Sequence, residues 1–264
     1  MHQYSISKNI TLDLEKLVEE RTEELQRSNE DLQQFAHVAS HDLKEPIRKV
    51  MTFANRLKEE LKTNLSEKAN NYLNKIESSA IRMYSMIDGV LLYSSLNAME
   101  QTKEQIELDE IMDNIKTDLE IPIAQVNAAV NYSALPAVTG SPILIYQLFY
   151  NLINNSLKFV TPGKNSVIVV REENDATSVA AFTNLSKEKK YVRIVVEDNG
   201  IGFSEENAEK IFGAFTRLHA KDKYEGTGLG LALCKKIVQR HGGNIWAEGK
   251  EGEGARFIML LPVE

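Results

Sequence analysis

The chain has one cysteine, Cys234, in 264 residues, so it can form neither an internal disulfide nor a cysteine-based metal cluster. Cys234 itself reads as a small buried residue of a helix. No apolar run approaches the roughly 18 residues needed to cross a bilayer, and the N-terminus lacks a signal-peptide pattern. These absences predict a cytoplasmic protein, or the cytoplasmic portion of a larger one. No basic block offsets the net charge of −7, which argues against general affinity for nucleic acid. Two familiar nucleotide sites are also missing. There is no G-x-x-x-x-G-K-[ST] loop, and no set of a strand lysine, H-R-D and D-F-G.

The first part is rich in helix signal. "LDLEKLVEERTEELQRSNEDLQQFA" has neither glycine nor proline. Val18, Leu25, Leu32 and Ala39 recur every seven residues, with Leu14 and Phe35 at the other seam position. Arg21 and Ser28 fall in the same seam, which predicts a weak or adjustable coiled coil. Two apolar stripes follow, through Leu43, Ile47, Val50, Ala54, Leu57 and Leu61, and then Leu73, Ile76, Ala80, Met83, Ile87 and Val90. The polar break "KTNLSE" separates them, with Ser66 as the expected N-cap of the second helix. Such a hairpin cannot bury both stripes alone, and a symmetric dimer forming a four-helix bundle would.

From about residue 105 helix and strand alternate. "SVIVVRE" (166–172), "KYVRIVVED" (190–198) and the terminal "ARFIMLLPV" read as strands. Residues 142–160 and 230–242 read as helices, and 173–190 as a hairpin extension. The predicted fold class is α+β: a helical hairpin dimerising into a four-helix bundle, followed by an α/β sandwich. The predicted segments are a coiled-coil helix at 1–33, the hairpin at 34–97, a linker at 98–106 and the sandwich at 107–264.

Three constellations in the second half point to a nucleotide. Asn151, Asn155 and Lys158 project from one helical face; an amide oxygen suits Mg²⁺ and a lysine suits a phosphate oxygen. In "EDNGIGF", Asp198 ends a strand where it can accept from an exocyclic amine such as that of adenine. Gly200 and Gly202 let the backbone turn beside it. In "YEGTGLGLAL", Gly226, Gly228 and Gly230 lead into a helix, an arrangement whose N–H groups can hold an anion. Between the last two, "AEKIFGAFTRLHAKDKY" carries Phe212, Phe215 and Arg217. It reads as a lid with aromatic anchors and an arginine for the phosphates, or as a surface helix with a buried Phe pair.

In "ASHDLKEPIR", His41 lies about 200° around the helix from Leu43 and so points away from the apolar stripe. Asp42 can take the proton on one ring nitrogen and leave the other nucleophilic. Pro46 cannot donate to the carbonyl of Asp42, so a bend is expected beside the ring.

The second half resembles the catalytic ATP-binding domain of sensor histidine kinases, of the GHKL (Bergerat) fold. "QLFYNLINNSLKF" is similar to its N box, "DNGIGF" to its G1 box, "IFGAFTRL" to its F box and "GTGLGLAL" to its G2 box. The first half resembles the family's dimerisation and phosphotransfer hairpin, with "FAHVASHDLKEPIR" as the H box. The resemblance implies an ATP- and Mg²⁺-dependent autokinase: His41 as phospho-acceptor, Asp42 as its base, and Asn155 as the Mg²⁺ ligand. It puts Lys158, Arg217 and Asn151 near the phosphates, and Asp198, Gly200 and Gly202 at the base. Phe215, Gly226, Thr227, Gly228, Leu229 and Gly230 complete the expected nucleotide site. Implied partners are a second copy of the chain, a response-regulator receiver domain and an upstream sensor domain. Family members that also dephosphorylate their regulator usually carry Thr or Asn where this chain has Glu45, so weak phosphatase activity is expected. Two other readings are a GHKL ATPase acting as a conformational clamp, and a catalytically inactive dimeric scaffold.

Overall fold

A computed structural model of the chain describes residues 2–61, 65–96, 103–173, 185, 189–218, 224 and 226–263. The fold divides into two units, Met1–Ser95 and Leu96–Glu264.

In the first unit, helix α1 (His2–Glu60) is followed by helix α2 (Glu67–Ser95). The predicted coiled-coil segment and the first hairpin helix are therefore one continuous helix of 59 residues, which runs through Pro46 without ending. Pro46 removes one helical hydrogen bond, and the turns on either side suffice to carry the helix across it. Among the seam residues, Leu14, Val18 and Phe35 are exposed, while the side chains of Leu25 and Leu32 lie outside the described residues. Ser66 caps α2 as expected, its Oγ accepting from the Ala69 N–H at 3.2 Å. Residues 62–64, between the two helices, lie outside the described residues.

Polar clamps join the two helices. Lys58 Nζ donates to Asn74 Oδ1 at 2.9 Å and lies 3.3 Å from Glu77 Oε2. Lys44 pairs with Asp88 and sits over the Tyr84 ring. The apolar stripes are only partly covered. Ile47, Leu73 and Ala80 are buried, but Leu43, Val50, Leu57, Ile76 and Met83 are exposed. Two helices bury only the line along which they touch, so most of each stripe awaits another surface.

The second unit is built on a five-stranded sheet in the order β2 (Ala129–Tyr132), β4 (Val167–Glu172), β5 (Tyr191–Asp198), β7 (Gly254–Pro262), β6 (Asn244–Lys250). Strand β2 runs parallel to β4, and the other pairs are antiparallel. A separate antiparallel pair joins β1 (Glu104–Glu107) to β3 (Ala137–Gly140), with buried Ile106 opposite Val138. Strand β1 thus takes residues 104–106 out of the predicted linker 98–106; of the rest, 98–102 lie outside the described residues.

The helices of this unit are α3 (Leu108–Asp118), α4 (Glu120–Gln125), α5 (Pro142–Lys158) and α6 (Gly230–Arg240). Helix α5 starts at Pro142, whose missing N–H costs nothing in the first turn, and buries Ile145, Leu148, Phe149, Leu152, Ile153, Ser156 and Leu157. Each large apolar side chain on that face stabilises the unit by roughly 1.5–3 kcal/mol. A buried histidine links its start to the end of α6. His241 Nε2 accepts from the Ser141 N–H at 3.0 Å, and His241 Nδ1 donates to the Ile237 carbonyl at 2.8 Å. Burial lowers the pKa of His241, so the ring is held neutral.

Candidate functional site

The site is assembled where the C-terminal half of α5 meets the end of β5 and the loop before α6. Asp198 closes β5, and its carboxylate is held from three sides. Oδ1 accepts from the Gly200 N–H at 2.9 Å and the Ala255 N–H at 3.3 Å, and Oδ2 accepts from Ser156 Oγ at 2.9 Å. Burial raises its pKa, against the lowering effect of those three donors. A carboxylate offers about four lone-pair sites, so one acceptor position remains.

The turn after Asp198 leaves no room for side chains. A Cβ on Gly200 would lie 2.3 Å from the Phe159 carbonyl oxygen and 2.9 Å from Asp198 Oδ1. Gly202 has φ +62°, and a Cβ there would lie 2.0 Å from the Lys250 carbonyl oxygen. The Ile201 N–H donates to the Phe159 carbonyl at 2.9 Å, which ties this turn to the end of α5.

The asparagine–lysine face of α5 meets the glycine-rich loop. A Cβ on Gly230 would lie 3.9 Å from Asn155 Nδ2 and 4.0 Å from Asn151 Cγ, and one on Gly226 would lie 2.6 Å from Lys158 Nζ. The first turn of α6 therefore approaches both asparagines, and the Lys158 ammonium stands beside Gly226. Asn151 Oδ1 accepts from Gln147 Nε2 at 3.1 Å. Among the described residues, Asn151 Nδ2 is buried with no hydrogen-bond partner of good geometry, and the Cys234 thiol interacts with the same side chain. Cys234 is fully buried, and burial pushes its thiol up to about 12, so it is inert.

The described part of the segment, 205–218, is not a plain surface helix. It forms two short 3₁₀ turns, Glu205–Asn207 and Lys210–Phe212, because Gly213 and Thr216 close the chain back on itself. Phe212 is buried, whereas Phe215 is 57% exposed and adopts φ +63°, so the expected buried Phe pair is not formed. The Phe215 N–H donates to the Gly228 carbonyl at 3.0 Å. Arg217 donates from Nη1 to the Gly226 carbonyl at 2.9 Å and from Nη2 to the Tyr224 carbonyl at 2.6 Å. Its guanidinium thus braces the glycine-rich loop. Thr227 Oγ1 accepts from the Leu229 N–H at 3.3 Å, and the Leu229 side chain is buried, leaving only its backbone to face a ligand.

These bonds bring Asn151, Asn155, Lys158, Asp198, Gly200, Gly202, Phe215, Arg217 and the 226–230 loop into one region. The donor chemistry fits an adenine nucleotide: a buried carboxylate for an amine, N–H groups of a helix start and a lysine for phosphates. The half-buried Asn155 amide beside that helix start fits a Mg²⁺ ion shared with phosphates. Sequence reasoning missed Ser156 and Phe159. Ser156 could have been found: it continues the apolar stripe Ile145–Phe149–Leu152, where a hydroxyl requires a partner. An open cavity of about 320 Å³ adjoins the turn, lined by Ile201, Gly202, Phe203, Ser204, Asn207, Leu218 and Glu251.

His41, in the other unit, is exposed with 77% of its side chain in solvent, and its Nδ1 lies 3.3 Å from Asp42 Oδ1. Leu43 is itself 54% exposed, so pointing away from the apolar stripe does not set His41 apart. What does is the Asp42 contact, which leaves Nε2 open. Four residues on, Glu45 pairs with Lys49 at 2.6 Å. Among the described residues no helix is long and apolar enough to cross a membrane.

Comparison with known proteins agrees with this geometry. Residues 31–98 match the His Kinase A (phospho-acceptor) domain, and residues 140–264 match the histidine kinase-, DNA gyrase B- and HSP90-like ATPase domain. Among curated relatives, the phytochrome-like protein Cph1 of Synechocystis is 33% identical over 239 residues, covering 90% of this chain and 30% of that protein. Cyanobacterial phytochrome A of Nostoc is 35% identical over 240 residues, covering 91% and 30%. The chain thus spans about a third of the length of these relatives. Among solved structures, full-length ShkA in complex with AMPPNP superposes with a TM-score of 0.65 at 20% identity, covering 87% of this chain and 45% of that one. The histidine kinase ThkA in complex with response regulator protein TrrA gives 0.58 at 24%, covering 90% and 65%. An exposed histidine on a helical hairpin, followed by a sheet domain in which all four nucleotide boxes converge, makes this chain a member of the sensor histidine kinase family, with its phospho-acceptor and ATPase domains in that order.

Proposed function

We propose that the chain is an ATP-dependent histidine autokinase that phosphorylates His41 and passes the phosphoryl group to an aspartate of a response regulator. The observation that carries this reading is the His41–Asp42 pair, an exposed imidazole whose Nδ1 faces a carboxylate. With the proton on Nδ1, the Nε2 lone pair is free to attack the γ-phosphorus of ATP. The bond from that phosphorus to the β,γ-bridging oxygen breaks, and its electron pair leaves on ADP. The imidazolium formed is neutralised when Nδ1 gives its proton to Asp42 or to water. Phosphoryl transfer of this kind depends on positioning and charge neutralisation rather than on further covalent chemistry.

The remaining residues supply that positioning. Asp198 accepts from the adenine amine, and Gly200 and Gly202 allow the backbone to approach the base. The Gly226–Gly230 loop and Lys158 hold the phosphates, Asn151 lines the same face, and Arg217 with Phe215 keeps the loop in shape. Asn155 is the ligand for a Mg²⁺ ion, which would neutralise phosphate charge. The uncovered apolar stripes of the hairpin take a second copy of the chain, giving a homodimer. The family supports a receiver domain as the phosphoryl acceptor and an upstream sensor domain, and cytoplasmic placement follows from that role.

The test is uptake of label from γ-labelled ATP. The chain should gain acid-labile, alkali-stable label, and His41→Gln should bind ATP with unchanged affinity but take up none. Labelling of the His41→Gln variant would move the acceptor elsewhere. ATP hydrolysis without any protein-bound label would favour a conformational clamp.

A further inference from the structure

Ser156 is 2% exposed in a helix face otherwise made of leucine, isoleucine and phenylalanine, and a buried hydroxyl there needs a partner. Its partner is the one side chain that the proposed function assigns to the base. Ser156 Oγ donates to Asp198 Oδ2 at 2.9 Å, while the two backbone donors, Gly200 N–H and Ala255 N–H, both act on Oδ1. Among the described residues, Ser156 is therefore the single donor on the second carboxylate oxygen. Without it, that oxygen would have only ligand or water to orient it.

The direction of this hydrogen bond matters as much as its existence. A carboxylate cannot donate, so the serine proton must point at Asp198, and the serine lone pairs are left free. The pair then presents nothing but acceptors to a ligand. An exocyclic amine satisfies such an edge. A carbonyl in the same place meets lone pairs on both partners and leaves buried acceptors unpaired, which is the strongest form of discrimination a polar pocket offers. The serine bond also offsets part of the rise that burial imposes on the carboxyl pKa and so favours the charged, acceptor-only state of Asp198.

We infer that Ser156 is a positioning residue of the base pocket: by donating to Asp198 Oδ2 it locks the carboxylate and builds an acceptor-only edge that selects an amino purine nucleotide over an oxo purine one. This rests on the proposed nucleotide function and deepens it.

The experiment measures ATP and GTP dissociation constants by calorimetry for the full chain, Ser156→Ala and Ser156→Cys, with a ¹³C NMR titration of Asp198. Ser156→Ala should weaken ATP about tenfold, the effect of losing a hydrogen bond to a charged group, and leave GTP within about twofold. The Asp198 titration should move to higher pH. Ser156→Cys keeps the volume with a weaker donor and should fall between the two. It decides the matter if Ser156→Ala does not fold. A purely structural serine would lower the melting temperature and leave the ATP-to-GTP ratio and the Asp198 titration unchanged, and that result overturns the inference. Failure of the unsubstituted chain to bind either nucleotide would instead overturn the proposed function, and the inference with it.

Discussion

Gly200→Ala separates the site from the fold that carries it. The added Cβ would stand 2.3 Å from the Phe159 carbonyl oxygen and 2.9 Å from Asp198 Oδ1. Neither neighbour can yield cheaply. The Phe159 carbonyl is main chain and already accepts from the Ile201 N–H at 2.9 Å, and Asp198 Oδ1 is held by two N–H groups. Ordinary contact requires a shift of about 1 Å, which must separate the turn from the end of α5. Overpacking of this kind costs about 1–3 kcal/mol, and each kcal/mol lowers the melting temperature of a unit of this size by about 2–4 °C. Misplacing Asp198 by a comparable distance should weaken ATP by at least about tenfold. The control is Gly163→Ala. Gly163 has φ +80° but open space around it, so alanine there meets only backbone strain of about 1–2 kcal/mol. Calorimetric ATP titration and thermal melts on both variants give the answer. If Gly200→Ala binds ATP as tightly as Gly163→Ala does, the turn is not part of the nucleotide site and the reasoning is wrong.

Two other perturbations follow from single residues. Glu45 is exposed and, through its hydrogen bond with Lys49, has its pKa held below the ordinary value, so it is charged at neutral pH. Glu45→Asn, which removes that negative charge next to a phosphoaspartate, should speed dephosphorylation of a phosphorylated receiver domain several-fold; an unchanged rate refutes the assignment. The pKa of buried His241 is lowered relative to the unfolded chain, so below its unfolded value of about 6.5 the unfolded state binds more protons. The contribution of neutral His241 is complete above pH 6.5 and is lost as pH falls through the folded pKa, because protonated Nε2 cannot accept from the Ser141 N–H. Urea melts of the unsubstituted chain should weaken from pH 7 to pH 5, and His241→Gln should flatten that slope; an identical slope contradicts it.

Long periodic elements were legible in the sequence. Helix α5 falls within the predicted 142–160, α6 within 230–242, and β4, β5 and β7 within one residue of their predicted starts, because each repeats a burial period over several turns or pleats. Strands β1, β2 and β3 have four residues each, too few to establish an alternation, and β1 was absorbed into a linker. Within the site, the asparagine face, Asp198 and the glycines announced themselves by residue type. Two local features did not. Arg217 is expected at phosphates, and its bonds to the carbonyls of Tyr224 and Gly226 carry no residue-type signal, since any residue supplies a carbonyl. Phe215 reads as an anchor, yet it is exposed on a left-handed backbone, a conformation sequence rarely signals for an aromatic.

The account stands most directly on the linkage of the phosphate to the imidazole. After incubation with ATP and Mg²⁺, ³¹P NMR and peptide mapping at alkaline pH should find a phosphoramidate on Nε2 of His41, the nitrogen that Asp42 leaves open. Phosphate on Nδ1, on a hydroxyl, or on a peptide without His41 would contradict it.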